Sequence, residues 1–219
     1  MKRIPSILFT LLLACLSFFI FQILGAGLTD NFYTLDDRIW KTDMERFKGN
    51  GSSMMKQMVA VDDTGIVITL DKNRPTLKYD QKYKSGGMYS TQYFQNGFIS
   101  VRMKKETAPG TISSFMLTNR WIPEGWEQKE ISINFLGKKS NVAEFTVKHI
   151  KNSDKGPEYI QYTQDYTFEN SSANAYHNYD IKWLGNEVEF YVDGVKVFEN
   201  NKIAFDEPMH IQLSQWAAN

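Results

Sequence analysis

Three polar side chains, Glu130, Ser132 and Asn134, alternate with large apolar residues over 130–135. An alternation of period two predicts a β-strand with one polar and one apolar face. The carboxylate of Glu130 can act as a nucleophile or a base, whereas the amide of Asn134 forms hydrogen bonds but cannot give a proton to a leaving group. The polar face is therefore either an ordinary solvated face or a site with one carboxylate and several ligand-binding groups.

The sequence of this strand resembles the active-site strand of glycoside hydrolase family 16, the laminarinases and lichenases that cut β-1,3 and β-1,4 glucans. The family strand normally has the sequence E-I-D-I-E-F-L-G, and this chain has E-I-S-I-N-F-L-G over 130–137. The resemblance places Glu130 at the nucleophile position, Ser132 at the position of an Asp that bonds the nucleophile, and Asn134 at the acid/base position. Two of the three family carboxylates are thus replaced.

The replacement at Asn134 has a direct chemical consequence for the expected function. A retaining glycosidase needs two carboxyl groups about 5–5.5 Å apart, one as nucleophile and the other as general acid and then base. Residues four apart on a strand share one face, which suits this pairing. Because general acid–base catalysis contributes roughly 10²–10⁴-fold, we expect a polysaccharide-binding cleft in which hydrolysis is weak or lost.

Two residues on the next predicted strand, 142–150, are candidates to replace the missing acid. His149 matches a histidine that many laminarinases carry beside the acid/base, and this resemblance favours a cleft position for it. Glu144 lies on the same segment. The offset between the two is odd, so a regular strand sends them to opposite faces and at most one points into the cleft.

Three segments before this strand resemble family motifs in the family's order and spacing. The segment 83–90 resembles the "sGGlyS" element, 97–104 resembles "YGRFEVRMK", and 113–117 resembles the strand "sSfwl". The resemblance implies that Tyr89, in the first of them, lines the cleft.

Two segments after the strand also resemble the family. The segment 176–183 resembles "fHtYaieW", and 209–216 resembles the strand "imMNLW", in which Trp216 matches a cleft-lining tryptophan. Between them, Asp193-Gly194 lies between alternating runs and predicts a two-residue hairpin turn.

The chain is rich in aromatic residues, with 15 Phe, 11 Tyr and 5 Trp. Most are expected in the core. By resemblance to the family, Trp126 is a candidate sugar platform just before the active-site strand, and Trp121 is a second candidate in the same loop. A buried structural role is the alternative for both.

Short alternating segments with turns at regular spacing predict an all-β sandwich. The resemblance covers roughly 30–216 and implies a concanavalin-like β-jelly roll of two antiparallel sheets with a cleft across the concave face. We therefore expect a family 16-like domain over 28–219. It ends at Asn219, before the last strand that family members usually have.

The N-terminal segment 1–27 has the form of an export signal. Lys2 and Arg3 precede an uncharged run over 4–24, and the small residues at 25–27 suit cleavage. The run is also long enough to span a bilayer, so both a cleaved signal peptide and an uncleaved signal anchor remain open. Either places the domain outside the cytoplasm, secreted or in the cell envelope.

The charges balance, with 25 basic and 25 acidic residues, which argues against nucleic acid or an anionic membrane as a partner. The only cysteine, Cys15, lies in the leader, and His149, His177 and His210 are too widely spaced for a metal motif. We expect no cofactor; some family members hold a structural calcium, whose ligands this sequence does not identify. Nothing in the sequence predicts an oligomeric state.

Three functions are consistent with these features. The first is a secreted carbohydrate-active protein that recognises a β-glucan-type polysaccharide, with weak or lost O-glycosyl hydrolysis. The second is a lectin-like glycan-binding module that uses the same cleft without catalysis. The third is an envelope protein, tethered to the membrane by an uncleaved leader, whose sandwich contacts other proteins.

Overall fold

The computed structural model describes residues 27–42, 50–74, 76, 80–119, 127–151, 153, 155–169 and 174–218. In these ranges the chain forms β-strands and two 3-10 helices, Lys56–Met58 and Gly137–Lys139. The strands are β1 (Trp40–Lys41), β2 (Ser52–Met54), β3 (Val59–Asp62), β4 (Gly65–Ile68), β5 (Leu70–Lys72), β6 (Tyr83–Ser85), β7 (Gly87–Ser90), β8 (Gly97–Met103), β9 (Thr111–Thr118), β10 (Gln128–Leu136), β11 (Val142–Lys151), β12 (Glu158–Thr167), β13 (His177–Leu184), β14 (Glu187–Val192), β15 (Val195–Asn200) and β16 (His210–Ala217).

The chain divides into two compact units, Met1–Phe32 and Tyr33–Asn219. In the described part of the first unit, the backbone N–H of Phe32 donates to the Asp30 carboxylate at 2.7 Å. The predicted leader falls almost wholly on residues 1–26, which lie outside the described residues. No helix among the residues that are described is long and apolar enough to cross a membrane.

Two antiparallel sheets dominate the second unit. One has seven strands in the order β1-β7-β16-β9-β10-β11-β12, and the other has four in the order β15-β14-β13-β8. Two smaller sheets, β2-β6-β5 and β3-β4, accompany them, and β2 pairs with β6 in parallel. The all-β prediction with two main antiparallel sheets is confirmed.

The core lies between the two main sheets and follows from the alternation in β10. Ile131, Ile133 and Phe135 are fully buried, with 0% exposure. The ring of Phe135 meets Tyr179 of β13 edge-on at 5.0 Å between centroids, so the apolar face of β10 packs against the smaller sheet. Burying a side chain of this size contributes roughly 1.5–3 kcal/mol, and this fixes which face of β10 points away from the core.

The ends of the large sheet differ from a simple meander. The C-terminal strand β16 lies inside the sheet between β7 and β9, and the short strand β1 forms the edge beyond β7. The predicted hairpin at Asp193-Gly194 joins β14 to β15, and both residues have positive φ, 49° and 80°.

Candidate functional site

Side chains from five neighbouring strands, β16, β9, β10, β11 and β12, line a cavity of about 560 Å³ on the face of the large sheet opposite the core. Directly opposed residues of antiparallel strands share a face. Glu130 is opposed by Thr118 on one side and Lys148 on the other, and all three line the cavity. The polar face predicted for β10 is therefore the floor of a cleft.

A directional chain of hydrogen bonds joins the polar side chains of β10. The hydroxyl of Ser114 donates to Oδ1 of Asn134 at 2.8 Å, and Nδ2 of Asn134 donates to Oγ of Ser132 at 3.0 Å. The hydroxyl of Ser132 in turn donates to Oε1 of Glu130 at 2.8 Å. Each donor faces an acceptor, so the amide of Asn134 is oriented at both its oxygen and its nitrogen.

Lys148 contacts Glu130, the residue at the other end of this chain of hydrogen bonds. Its Nζ lies 2.6 Å from Oε2 of Glu130, and the two side chains are 23% and 11% exposed. With Ser132 on Oε1, both carboxylate oxygens of Glu130 have a partner. Sequence reasoning missed Lys148, although its spacing of four from Glu144 places both on one face of β11.

Glu144 stands directly opposite Asn134 on β11, and both side chains line the cavity. Burial, and then the negative charge of Asp165, raise the pKa of the Glu144 carboxyl above its ordinary value. Asp165 is opposed to Glu144 on β12 and is itself bonded by Lys139 at 2.8 Å. Glu144 is thus a carboxyl group in the cleft that holds its proton to a higher pH than a solvated glutamate.

The prediction that His149 points into the cleft is wrong. His149 is opposed to Lys129, so it lies on the face of β11 opposite that of Lys148 and Glu144. Its Nε2 lies 2.5 Å from Oε2 of Glu127, just before β10. Of the two candidate replacement acids, the structure brings only Glu144 into the cleft.

The start of β10 is fixed from the side away from the cleft. Lys129 is 4% exposed and pairs with Asp206 and, at 2.6 Å, with Glu207. The hydrogen bond from Lys129 lowers the pKa of Asp206 to about 2. These pairs tie the segment before β16 to β10 and so hold two cleft strands in place.

The predicted aromatic residues fall into three groups. Trp216 lines the cavity and is 8% exposed. Tyr89 is opposed to Gln212 and thus shares the cleft face, but it is not among the cavity-lining residues. Trp121 and Trp126 lie outside the described residues, so their predicted role as sugar platforms stays a prediction.

Two further lining residues were missed by sequence reasoning. Tyr159, on the edge strand β12, is 64% exposed at the rim of the cavity. Gln212, on β16, is 1% exposed and occupies the floor. Tyr159 belongs to no recognised motif, and Gln212 lies within the segment 209–216 but was not singled out there. The register of the sheet shows that both line the same cavity as Glu130.

Within the described ranges, no group of three or more His, Cys, Asp or Glu side chains is arranged to hold a metal ion. The prediction that no cofactor is used stays a prediction.

Comparison with known proteins gives a match to a family model and to individual relatives. The sequence model for "Glycosyl hydrolases family 16" matches residues 48–219. A β-glucanase of Acetivibrio thermocellus is 31% identical over 152 residues, which are 69% of this chain and only 42% of that relative. A β-glucanase of Brevibacillus brevis is 25% identical over 199 residues, 88% of this chain and 71% of the relative. The chain thus matches less than half the length of the first relative.

Solved structures match the fold over most of the chain. The Bacillus licheniformis β-glucanase superposes with a TM-score of 0.74 at 21% identity, covering 90% of this chain and 87% of that one. The laminarinase catalytic domain of Thermotoga maritima gives 0.70 at 20% identity, covering 88% and 87%. The κ-carrageenase of Pseudoalteromonas carrageenovora gives 0.72 at 19% identity, covering 90% and 84%. The predicted jelly-roll fold is confirmed.

Proposed function

The chain belongs to glycoside hydrolase family 16, and we propose that its cleft binds a β-glucan-type polysaccharide with weak or lost hydrolysis. The observation that carries this proposal is the amide of Asn134, held by Ser114 and Ser132 at the position where the family has its acid/base. An amide cannot protonate the glycosidic oxygen. The matched relatives named β-glucanases support the choice of polysaccharide.

The hydrogen-bond chain supports binding more strongly than catalysis. A primary amide has two N–H donors, and Nδ2 of Asn134 uses one of them on Ser132. The second donor is available to a sugar oxygen above the sheet. The amide of Asn134 makes both hydrogen bonds that link Ser114 to Ser132. The hydrogen-bond network is therefore complete without a carboxylic acid at this position.

Glu130 retains the chemical type of a nucleophile but is closely held. One carboxylate oxygen accepts from Ser132 and the other pairs with Lys148 at 2.6 Å. Both contacts stabilise the negative charge, which lowers its tendency to attack an anomeric carbon. Substrates with good leaving groups, which need no protonation, are the ones on which such a carboxylate acts most readily.

Glu144 supports weak rather than absent hydrolysis of native glucan. It stands opposite Asn134 on the adjacent strand, and burial raises its pKa. Adjacent strands are about 4.8 Å apart. The carboxyl group of Glu144 therefore starts one strand farther from the glycosidic oxygen than a side chain at position 134 does. A misplaced acid of this kind gives slow proton transfer.

A lectin-like module is the second candidate function, and the completed amide network favours it over a fully active hydrolase. The lectin-like module differs from the weakly hydrolytic protein only in having no turnover of glucan. The membrane-tethered alternative and export itself depend on the segment 1–27, which is almost wholly outside the described residues; both stay predictions.

The test compares hydrolysis of laminarin, lichenan and an aryl β-glucan oligosaccharide with an activated leaving group. Wild type is expected to cleave the activated substrate and to cleave the two native glucans far more slowly. Glu130→Ala should abolish both, whereas Glu158→Ala, at an exposed carboxylate on β12, should change neither.

Other outcomes of this assay separate the alternatives. Rapid cleavage of native glucan by wild type, lost in Glu130→Ala, would mean a competent acid elsewhere. Glucan binding without any turnover would favour the lectin-like module. Absence of both binding and turnover would refute a glucan-binding cleft.

A further inference from the structure

Gln212 lies in the floor of the cleft, two strands away from the hydrogen-bonded polar chain of β10. It is opposed to Met116 on β9, and Met116 is opposed to Ser132 on β10. The side chains of Gln212 and Ser132 therefore share the cleft face of the sheet. Gln212 is 1% exposed and lines the same cavity as Glu130.

The amide of Gln212 is only half satisfied. Its Nε2 donates to Oγ of Ser214 at 3.3 Å, which orients the amide along β16. Its Oε1 is buried and has no hydrogen-bond partner among the residues that the structure describes. A buried carbonyl oxygen without a partner has lost its hydrogen bonds to bulk water, which is unfavourable. Such an oxygen is expected to accept a hydrogen bond from a ligand or an ordered water.

We propose that Oε1 of Gln212 accepts a hydrogen bond from a free hydroxyl of the sugar unit bound over β9 and β16. This makes Gln212 a specificity-determining residue of the cleft. The inference rests on the proposed function, because it requires a glycan in the cleft.

The chemistry of this acceptor selects one class of glycan. A carbonyl oxygen accepts hydrogen bonds and cannot donate them, so it binds a hydroxyl and disfavours a sulfate ester or a carboxylate at the same place. The charges nearby act in the same direction: Glu144 and Asp165 share the cleft face, and Lys148 is paired with Glu130. The expected ligand is a neutral glycan whose hydroxyl at this position is unsubstituted.

Calorimetric titration of the intact protein with laminarihexaose tests the inference. Gln212→Met keeps the size of the side chain and removes both polar atoms, and it is expected to weaken binding roughly tenfold. Gln215→Met is the matched control, since Gln215 is on the same strand but faces away from the cleft, and its affinity should equal that of wild type.

A series of monodeoxy laminarihexaoses identifies the hydroxyl. One member should bind wild type about tenfold more weakly, and this loss should be absent in Gln212→Met, because the bond is already removed. The measurement on wild type does not depend on the folding of the variant. Thermal unfolding of Gln212→Met should show an unchanged or higher midpoint, because an unpaired buried carbonyl is removed.

Equal affinity of wild type and Gln212→Met for laminarihexaose would overturn the inference and leave the proposed function standing. A lowered unfolding midpoint with unchanged affinity would also overturn it and give Gln212 a structural role. Binding of a κ-carrageenan oligosaccharide as tight as that of laminarihexaose would contradict the selection for a free hydroxyl. If wild type binds no glycan, both the proposed function and this inference fail.

Discussion

Asn134 and Glu144 face each other across β10 and β11, with both side chains in the cleft. In our proposal an amide occupies the position at which the family carries its acid, and a carboxyl group with a raised pKa stands one strand away. The separation of about 4.8 Å between strands is large compared with the length of a hydrogen bond. We infer that the cleft keeps polar side chains on its floor but has no proton donor in the productive place.

The ion pair between Glu130 and Lys148 is expected to stabilise the folded cleft. Both side chains are largely buried, and their charged atoms lie 2.6 Å apart. A double-mutant cycle with Glu130→Gln and Lys148→Met should give a coupling free energy of about 1–3 kcal/mol in denaturant unfolding.

The pair Lys139–Asp165 is the matched control for this cycle, since both of its side chains are 42% exposed. Its coupling should stay below about 1 kcal/mol. Equal coupling free energies in the two cycles would show that burial does not strengthen the Glu130–Lys148 pair.

Glu144 is expected to make stability depend on pH. Its raised pKa means that the folded protein binds this proton more tightly than the unfolded chain, whose glutamate pKa is about 4.3. The contribution of Glu144 to stability is therefore fully present below the unfolded-state pKa and is lost as pH rises through the folded-state pKa. Glu144→Gln should remove this loss.

The measurement is the thermal unfolding midpoint of wild type and Glu144→Gln from about pH 4 to about pH 7. The midpoint of the variant relative to wild type should rise with pH. Glu158→Gln, which removes an exposed carboxylate on β12, is the control for loss of one negative charge. A constant difference between Glu144→Gln and wild type would rule out the linkage.

Gly137, directly after β10, is expected to tolerate no side chain. A Cβ atom there would lie 1.8 Å from the carbonyl oxygen of Ala108 and 2.6 Å from Oγ1 of Thr111. Because the nearest atom belongs to the backbone, the segment before β9 must move, and Gly137→Ala should cost at least about 1–3 kcal/mol. Denaturant unfolding measures this cost; an unchanged midpoint would mean that this close approach does not constrain β10.

The fold was predictable because the alternation of β10 has a physical cause. Ile131, Ile133 and Phe135 must leave water, so the strand and its buried face follow from period two alone. The Asp193-Gly194 turn was predictable for a similar local reason, since both residues adopt positive φ. The order of strands in the large sheet, with β16 between β7 and β9, was not predicted, because no local pattern determines which strands become neighbours.

The site was only partly predictable because register is not a local property. Glu130, Ser132 and Asn134 were identified from one strand, but their partners Lys148 and Ser114 come from the two neighbouring strands. These partners follow only when it is known which residues oppose each other.

The wrong prediction for His149 also follows from not knowing the register. Its odd offset from Glu144 predicted that one of the two leaves the cleft, but the resemblance favoured the wrong one. The register with Lys129 decides the matter, because it places His149 on the other face of β11.

We infer that hydrolysis in this cleft is limited by the missing proton donor at Asn134, and Asn134→Glu supplies a carboxyl group at that position. We predict that Asn134→Glu raises the rate of laminarin or lichenan hydrolysis by roughly 10²–10⁴-fold, while Asn134→Gln, a longer amide, leaves it unchanged. The gain should disappear in the double variant Glu130→Ala with Asn134→Glu. An unchanged rate in a folded, glucan-binding Asn134→Glu protein would show that the absence of an acid at position 134 does not limit hydrolysis.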